Sequence, residues 1–303
     1  MSDTCAWCGA HKTSDPVCYQ CGANYAKAEA IKARGSAKGV ARTETAAAVD
    51  EQDTLLALVR DPHAEWLNCL LALPLMLLGA WACQYFNIFD GFQRIVFGMP
   101  VHELGHAITA WFTGHNAMPT LWLTRISPER GYLCSLLLLG VWIALWRLGS
   151  RMREPRWYAV VIVLVLLQLY GTFKVRAVDT EMWITFGGDG IGMVLATLLM
   201  GSFYFGKSTP LYKGSVRWGL LFWGAAAFMD IFMAWWEGQS DIARVGYGSV
   251  NGNHSDAYKL INEYVWNWEE MISTYLQLGY ACLAVLAGLY VFGLWQARQW
   301  LKH

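Results

Sequence analysis

The sequence predicts an all-α polytopic membrane protein of about six to seven transmembrane helices, with room for one re-entrant segment, behind a small N-terminal zinc ribbon. Three observations predict it. Of 303 residues, 55% are hydrophobic and only 15% charged, where ordinary soluble domains carry about 25% charged residues. The charges are unevenly placed: residues 1–65 hold 7 Lys/Arg and 9 Asp/Glu, leaving 30 charges for the other 238 residues. Within that polar head, four cysteines fall in two C-x-x-C-G pairs. High hydrophobicity excludes disorder, and a formal net charge of zero leaves no cation excess for binding nucleic acid.

The head comes first. Cys5-Ala-Trp-Cys8-Gly9 and Cys18-Tyr-Gln-Cys21-Gly22 supply four thiolates that can surround one tetrahedral Zn2+, each glycine allowing the tight turn that aims its pair of sulfurs. Disulfide or redox pairing is the competing reading. Against it, no secretory segment is expected, since the first apolar run begins near Trp66. Residues 1–25 resemble the short zinc-ribbon modules at the ends of many bacterial membrane proteins. That resemblance implies a structural zinc holding together a piece too small for its own core, or a docking point for a protein partner. Reduced thiolates favour a cytosolic head. Residues 26–64, rich in Ala, Lys and Glu, read as a linker.

The body, residues 65–303, contains apolar stretches at 66–86, 95–112, 132–148, 157–173, 191–205, 218–236 and 271–295. Tryptophan and tyrosine gather at several ends, as at Trp66, Trp157, Tyr158, Trp235, Trp236, Trp266 and Trp268, where a membrane interface accommodates amphipathic rings. Basic residues cluster at Arg147, Arg151, Arg153 and Arg156, at Lys207, Lys213 and Arg217, and at Arg298 and Lys302. These should share the cytoplasmic side with the head. An even number of crossings must then join the head to the Arg151 loop, yet three apolar stretches lie between. Two repairs are open. Residues 117–125 can re-enter or cross as extended chain, since nine residues reach about 30 Å, lining a water-filled cavity. Alternatively, one of the three stretches inserts only partly.

The second apolar stretch contains Val101-His102-Glu103-Leu104-Gly105-His106. On a helix His102 and His106 lie one turn apart on one face and can share a zinc ion, with Glu103 beside them as a base for water. Ionisable groups in an apolar helix are costly without a partner, and a metal fits this spacing. A catalytic zinc usually has a third protein ligand. Asp189, in Phe186-Gly-Gly-Asp189-Gly-Ile-Gly192, leads, because the glycines would let the backbone break at the start of a membrane helix and bring the carboxylate to the metal. His254 is the alternative ligand; it and Asp256, in Asn253-His-Ser-Asp256, come second and can equally begin a helix. Asp230 is an isolated carboxylate inside an apolar stretch, and Glu181 is weaker still. Residues 174–189 and 237–268 fall on one side, so both acidic segments can approach the motif.

On these residues the chain resembles the site-2 protease class of intramembrane zinc metalloproteases. His102, Glu103 and His106 match that class's H-E-x-x-H, and Asp189-Gly190 its later Asp-Gly, although Gly187-Gly188 replaces the usual Asn-Pro and two apolar stretches separate the motifs. The resemblance covers about residues 66–206. It implies hydrolysis of a peptide bond in or near the membrane, a membrane-protein or peptide substrate, Glu103 as catalytic base, His102, His106 and Asp189 as zinc ligands, and residence in a bacterial inner membrane. The alternative function is a non-catalytic membrane scaffold or regulator with a structural or inactive metal site. Metal transport fits less well, because a fixed His/His/Asp site would release zinc too slowly.

Overall fold

In lipid every backbone N–H and C=O must be satisfied within its own segment, so long apolar stretches fold as helices. The computed structural model describes residues 3–6, 8–29, 62–86, 90–152, 156–204, 215–250 and 253–301. Its helices are, in chain order, α1 (Pro62–Tyr85), α2 (Met99–Phe112), α3 (Leu133–Met152), α4 (Arg156–Lys174), α5 (Ala177–Gly201), α6 (Val216–Gly238), α7 (Asp256–Asn262) and α8 (Trp268–Trp300). Six of these, all but α2 and α7, are long and apolar enough to cross a membrane. The chain divides into two units, Met1–Ala64 and Glu65–His303; of the first, the linker residues 30–61 lie outside the described residues.

The parity conflict falls between α1 and α3. Helix α2, which carries the histidine motif, has 14 residues; joined to the helical turns before it, it belongs to an unbroken helical run over residues 90–112, about 34 Å long. It continues from the short helical turn Asp90–Gln93 through a π-helical turn, Arg94–Gly98. After it come two strands, β1 (His115–Pro119) and β2 (Thr124–Arg130), paired antiparallel with Ala117 opposite Ile126 and Pro119 opposite Thr124. The 117–125 stretch is therefore extended, but it turns back on itself instead of crossing. Thr120 closes the turn, its N–H donating to the Leu123 carbonyl at 2.9 Å. Six helices are candidates to cross by length and composition. If these six alone cross, connectivity leaves the hairpin and the α6–α8 connection on one face and the Arg151 loop on the other; Arg153, Lys207 and Lys213 lie outside the described residues.

Another expectation is corrected at residues 174–189. From Ala177 onward these form the first half of α5 rather than an outer loop, so Gly187 and Gly188 do not break the chain. Helices α5 and α6 occupy the middle of the bundle: 61% and 56% of their apolar windows are buried, against 17–22% for the other four spans. Met193, Met200, Phe228, Ile231 and Tyr275 pack the core between α5, α6 and α8. Arg217, counted above among the loop cations, is instead buried at the start of α6. Its guanidinium makes a two-pronged pair with Glu65 of α1 at 2.6 and 2.9 Å and lies over the Phe203 ring.

Candidate metal centres and the adjoining cavity

Two groups of side chains gather with metal-binding geometry. In the head, the sulfurs of Cys5, Cys8, Cys18 and Cys21 lie within 4.8 Å of one another. The two knuckles are built alike. Cys5 N–H donates to the Ala10 carbonyl and Gly9 N–H to that of Cys5, while Cys18 N–H donates to Ala23 and Gly22 N–H to Cys18. Gly9 and Gly22 both take positive φ, 77° and 71°, a conformation costly for any residue with a side chain. The N–H groups of Cys21 and Gln20 outweigh burial and pull the Cys18 thiol down to about 6. At Cys21 the N–H of Ala23 favours the thiolate, but burial and the neighbouring sulfurs win and push the thiol up to about 12. Four sulfurs this close cannot all ionise without a cation among them.

The second group lies in the membrane unit. His102 and His106, a turn apart on α2, bring their Nε2 atoms to 3.0 Å, and the Asp256 carboxylate Oδ2 sits 3.1 and 3.0 Å from them. Together the three form the second cluster of the described residues able to hold a metal ion. Each imidazole is held from behind. His102 Nδ1 donates to Asp189 Oδ1 at 2.7 Å, and His106 Nδ1 donates to the Ile184 carbonyl at 2.7 Å. With the proton on Nδ1, each neutral ring turns a lone pair at Nε2 toward the other and toward a carboxylate oxygen. Three acceptors facing one another at this range call for a cation between them. Donors about 3.3 Å apart are what a tetrahedral ion with bonds of roughly 2.05 Å requires.

The expected third ligand is thus displaced. Asp189 reaches His102 from the ring's far side, and its other oxygen, Oδ2, accepts from Trp235 Nε1 at 2.9 Å. Its place at the front belongs to Asp256. His254 is brought to the cavity but not to the histidine pair; it is exposed and stacks on Tyr258 at 4.3 Å. The helix-start reading of this segment holds for its serine. Ser255 caps α7 by accepting from Tyr258 N–H, which leaves the Asp256 carboxylate available. Asp230 pairs with Arg94 at 2.9 Å, and Glu181 accepts from the Tyr264 hydroxyl at 3.5 Å. Trp235 reads from the sequence as an interfacial ring, because a tryptophan at a helix end looks the same whether or not its N–H has a task; here it is buried and donates to Asp189.

Glycines let α2 and α5 touch. A Cβ on Gly105 would come to 2.5 Å from the Gly188 carbonyl, and one on Gly188 would come to 2.6 Å from His106 Nε2 and 2.7 Å from His102 Cε1. A cavity of about 560 Å3 opens in front of the histidines, with Arg94, Glu103, Thr124, Trp235 and Lys259 in its wall. Glu103, otherwise buried, faces this space beside His102. Leu123 of the hairpin turn and Thr124 and Ile126 of strand β2 also line it, and Thr124 Oγ1 ties the strand to α2 by donating to the Glu103 carbonyl at 2.7 Å. Irregular backbone at membrane depth is tolerated where it lines such a space. No protein-family model, curated protein or solved structure matches the chain.

Proposed function

We propose that the protein is a membrane-embedded zinc metallopeptidase that hydrolyses a peptide bond in or near the membrane. The observation that carries the reading is the convergence of His102 Nε2, His106 Nε2 and Asp256 Oδ2 at 3.0–3.1 Å, with the Glu103 side chain in the same cavity wall. A zinc ion held by these three residues supplies Lewis acidity toward water and a scissile carbonyl. Glu103 takes the proton of the attacking water and returns it to the leaving amine. Asp189 keeps His102 in the tautomer that offers Nε2, and the Ile184 carbonyl does the same for His106. Among the described residues strand β2 pairs only with β1, so its second edge is available to an extended peptide segment entering the cavity.

Zinc is also the ion best suited to the four ribbon sulfurs, where it would be structural and the head a docking module for a protein partner. The basic loops favour a cytosolic head and a metal centre in the outer half of a bacterial inner membrane. The test is Glu103→Gln. The variant should keep its metal while cleavage falls by roughly 10²–10⁴-fold, read as the loss of membrane-protein fragments that appear only with the wild-type chain. Identical fragment profiles would sink the enzyme in favour of a non-catalytic scaffold. Metal analysis should return an ion for each of the two clusters, with His102→Ala and the Cys5→Ala/Cys8→Ala pair each removing one.

A further inference from the structure

We propose that Arg94 is a substrate-recognition residue that binds a carboxylate of the peptide, one or two residues away from the scissile bond. The inference rests on the peptidase reading for the nature of the ligand. Arg94 leads the π-helical turn Arg94–Gly98 and lines the same cavity as His102, Glu103 and Asp256. Wide helical turns of this kind recur at functional sites, because they re-aim a side chain that a regular helix would send elsewhere. The guanidinium is tethered on one side only: Nη1 donates to Asp230 Oδ2 at 2.9 Å, and among the described residues its other N–H groups have no partner. Its side chain is 37% exposed, whereas Asp230 is 6% exposed.

The tether is itself built. Asp230 also accepts from Gln84 Nε2 at 3.5 Å, and its carboxylate occupies the space a side chain at residue 98 would fill. A Cβ on Gly98 would lie 2.8 Å from Asp230 Cγ. A buried acid is thus spent on fixing a cation that lines the cavity with donors to spare, an arrangement suited to two-pronged recognition of a carboxylate.

Position decides what the cation recognises. The Asp230 tether holds the guanidinium beside Gly98, four residues before His102, or about 6 Å along the helix. A donor stabilising the oxyanion of the reaction would have to lie about 2.7–3.1 Å from it, so Arg94 sits too far back for that task. Extended peptide advances about 3.3–3.6 Å per residue, which places the recognised group one or two residues from the scissile bond. Either an acidic side chain or the free C-terminus of the substrate supplies that group.

The experiment measures binding of synthetic peptides to the zinc-loaded, full-length Glu103→Gln protein in detergent. Matched decapeptides carry glutamate or glutamine at successive positions, and a second pair ends in a free acid or an amide. One carboxylate peptide should bind about tenfold tighter than its neutral counterpart. The glutamate series and the terminal pair separate the two sources. Because Arg94→Gln alone would strand a buried carboxylate, the informative variant is the neutral pair Arg94→Gln/Asp230→Asn; it should bind both peptides of the pair equally while its metal content is unchanged. Arg94→Lys, which keeps the charge but loses the fork, should retain part of the preference. A wild-type cavity without preference, a preference that survives in the neutral pair, or no peptide binding at all would overturn the proposal. Peptides bound with the preference but left intact by the Glu103 chain would sink the peptidase reading and leave the subsite standing. Cleavage indifferent to the carboxylate would do the reverse.

Discussion

His102 is gripped by two aspartates, and the two should fail differently. Asp256 meets Nε2, where a metal would bind, while Asp189 meets Nδ1, where it fixes the ring. Asp256→Ala is therefore expected to empty the membrane centre and leave the ribbon metal in place. Asp189→Asn, which can still accept from Nδ1, should weaken metal binding by about 10–100-fold without abolishing it. Competitive chelation of the purified protein reads both. If Asp189→Asn lost the ion outright and Asp256→Ala kept it, the two roles would have to be exchanged. At this scale much of the centre was legible in the sequence, since the spacing of His102 and His106 alone places two imidazoles on one face. The carboxylate was harder. Asp189 carried a glycine signature that fits a ligand-bearing break, and Asp256 looked like one of several polar residues opening a helix. Only the side-chain hydrogen bond that makes Ser255 the cap distinguishes them, and that bond is not written in residue type.

At the scale of elements, the glycines were visible but their use was misread. Gly187 and Gly188 look like helix breakers by propensity; inside an apolar helix, where a break would expose unsatisfied backbone, they instead remove side chains so that α2 can lie against α5. The consequence is specific. Gly105→Ala sets a Cβ against the carbonyls of Gly187 and Gly188, rigid backbone that can yield only if the helices separate. Overpacking of this kind costs about 1–3 kcal/mol. The expected result is a lowered melting temperature together with loss of metal from the membrane centre, because the separation carries His102 and His106 away from Asp256. Gly79→Ala and Gly219→Ala, whose added Cβ meets nothing within 4 Å, are the controls and should be neutral. A Gly105→Ala protein as stable and as metal-rich as these controls would mean that the crossing of α2 and α5 does not set the site.

For the whole molecule, basic-residue counting exposed a parity conflict before the Arg151 loop and left two repairs open, an extended re-entry or crossing at 117–125 or partial insertion of one of three apolar stretches. The missing information was the pairing of β1 with β2, which depends on contacts between residues that both read simply as apolar, polar or turn-forming. If the six long apolar helices are the crossings, a topological consequence follows: Glu129 at the end of β2 and Ser240 after α6 lie on the same face, and Arg151 at the end of α3 on the other. Apolar side chains at the hairpin tip, Leu121, Trp122 and Leu123, are each more than half exposed, as suits an element resting in the interface rather than spanning it. Single cysteines at 129, 151 and 240, placed in a chain with all eight native cysteines replaced by alanine, can be probed with a membrane-impermeant maleimide on intact cells. Glu129→Cys and Ser240→Cys should label together and Arg151→Cys only after permeabilisation. Labelling of 129 and 240 from opposite sides would show that the helical run 90–112 or the hairpin crosses as well.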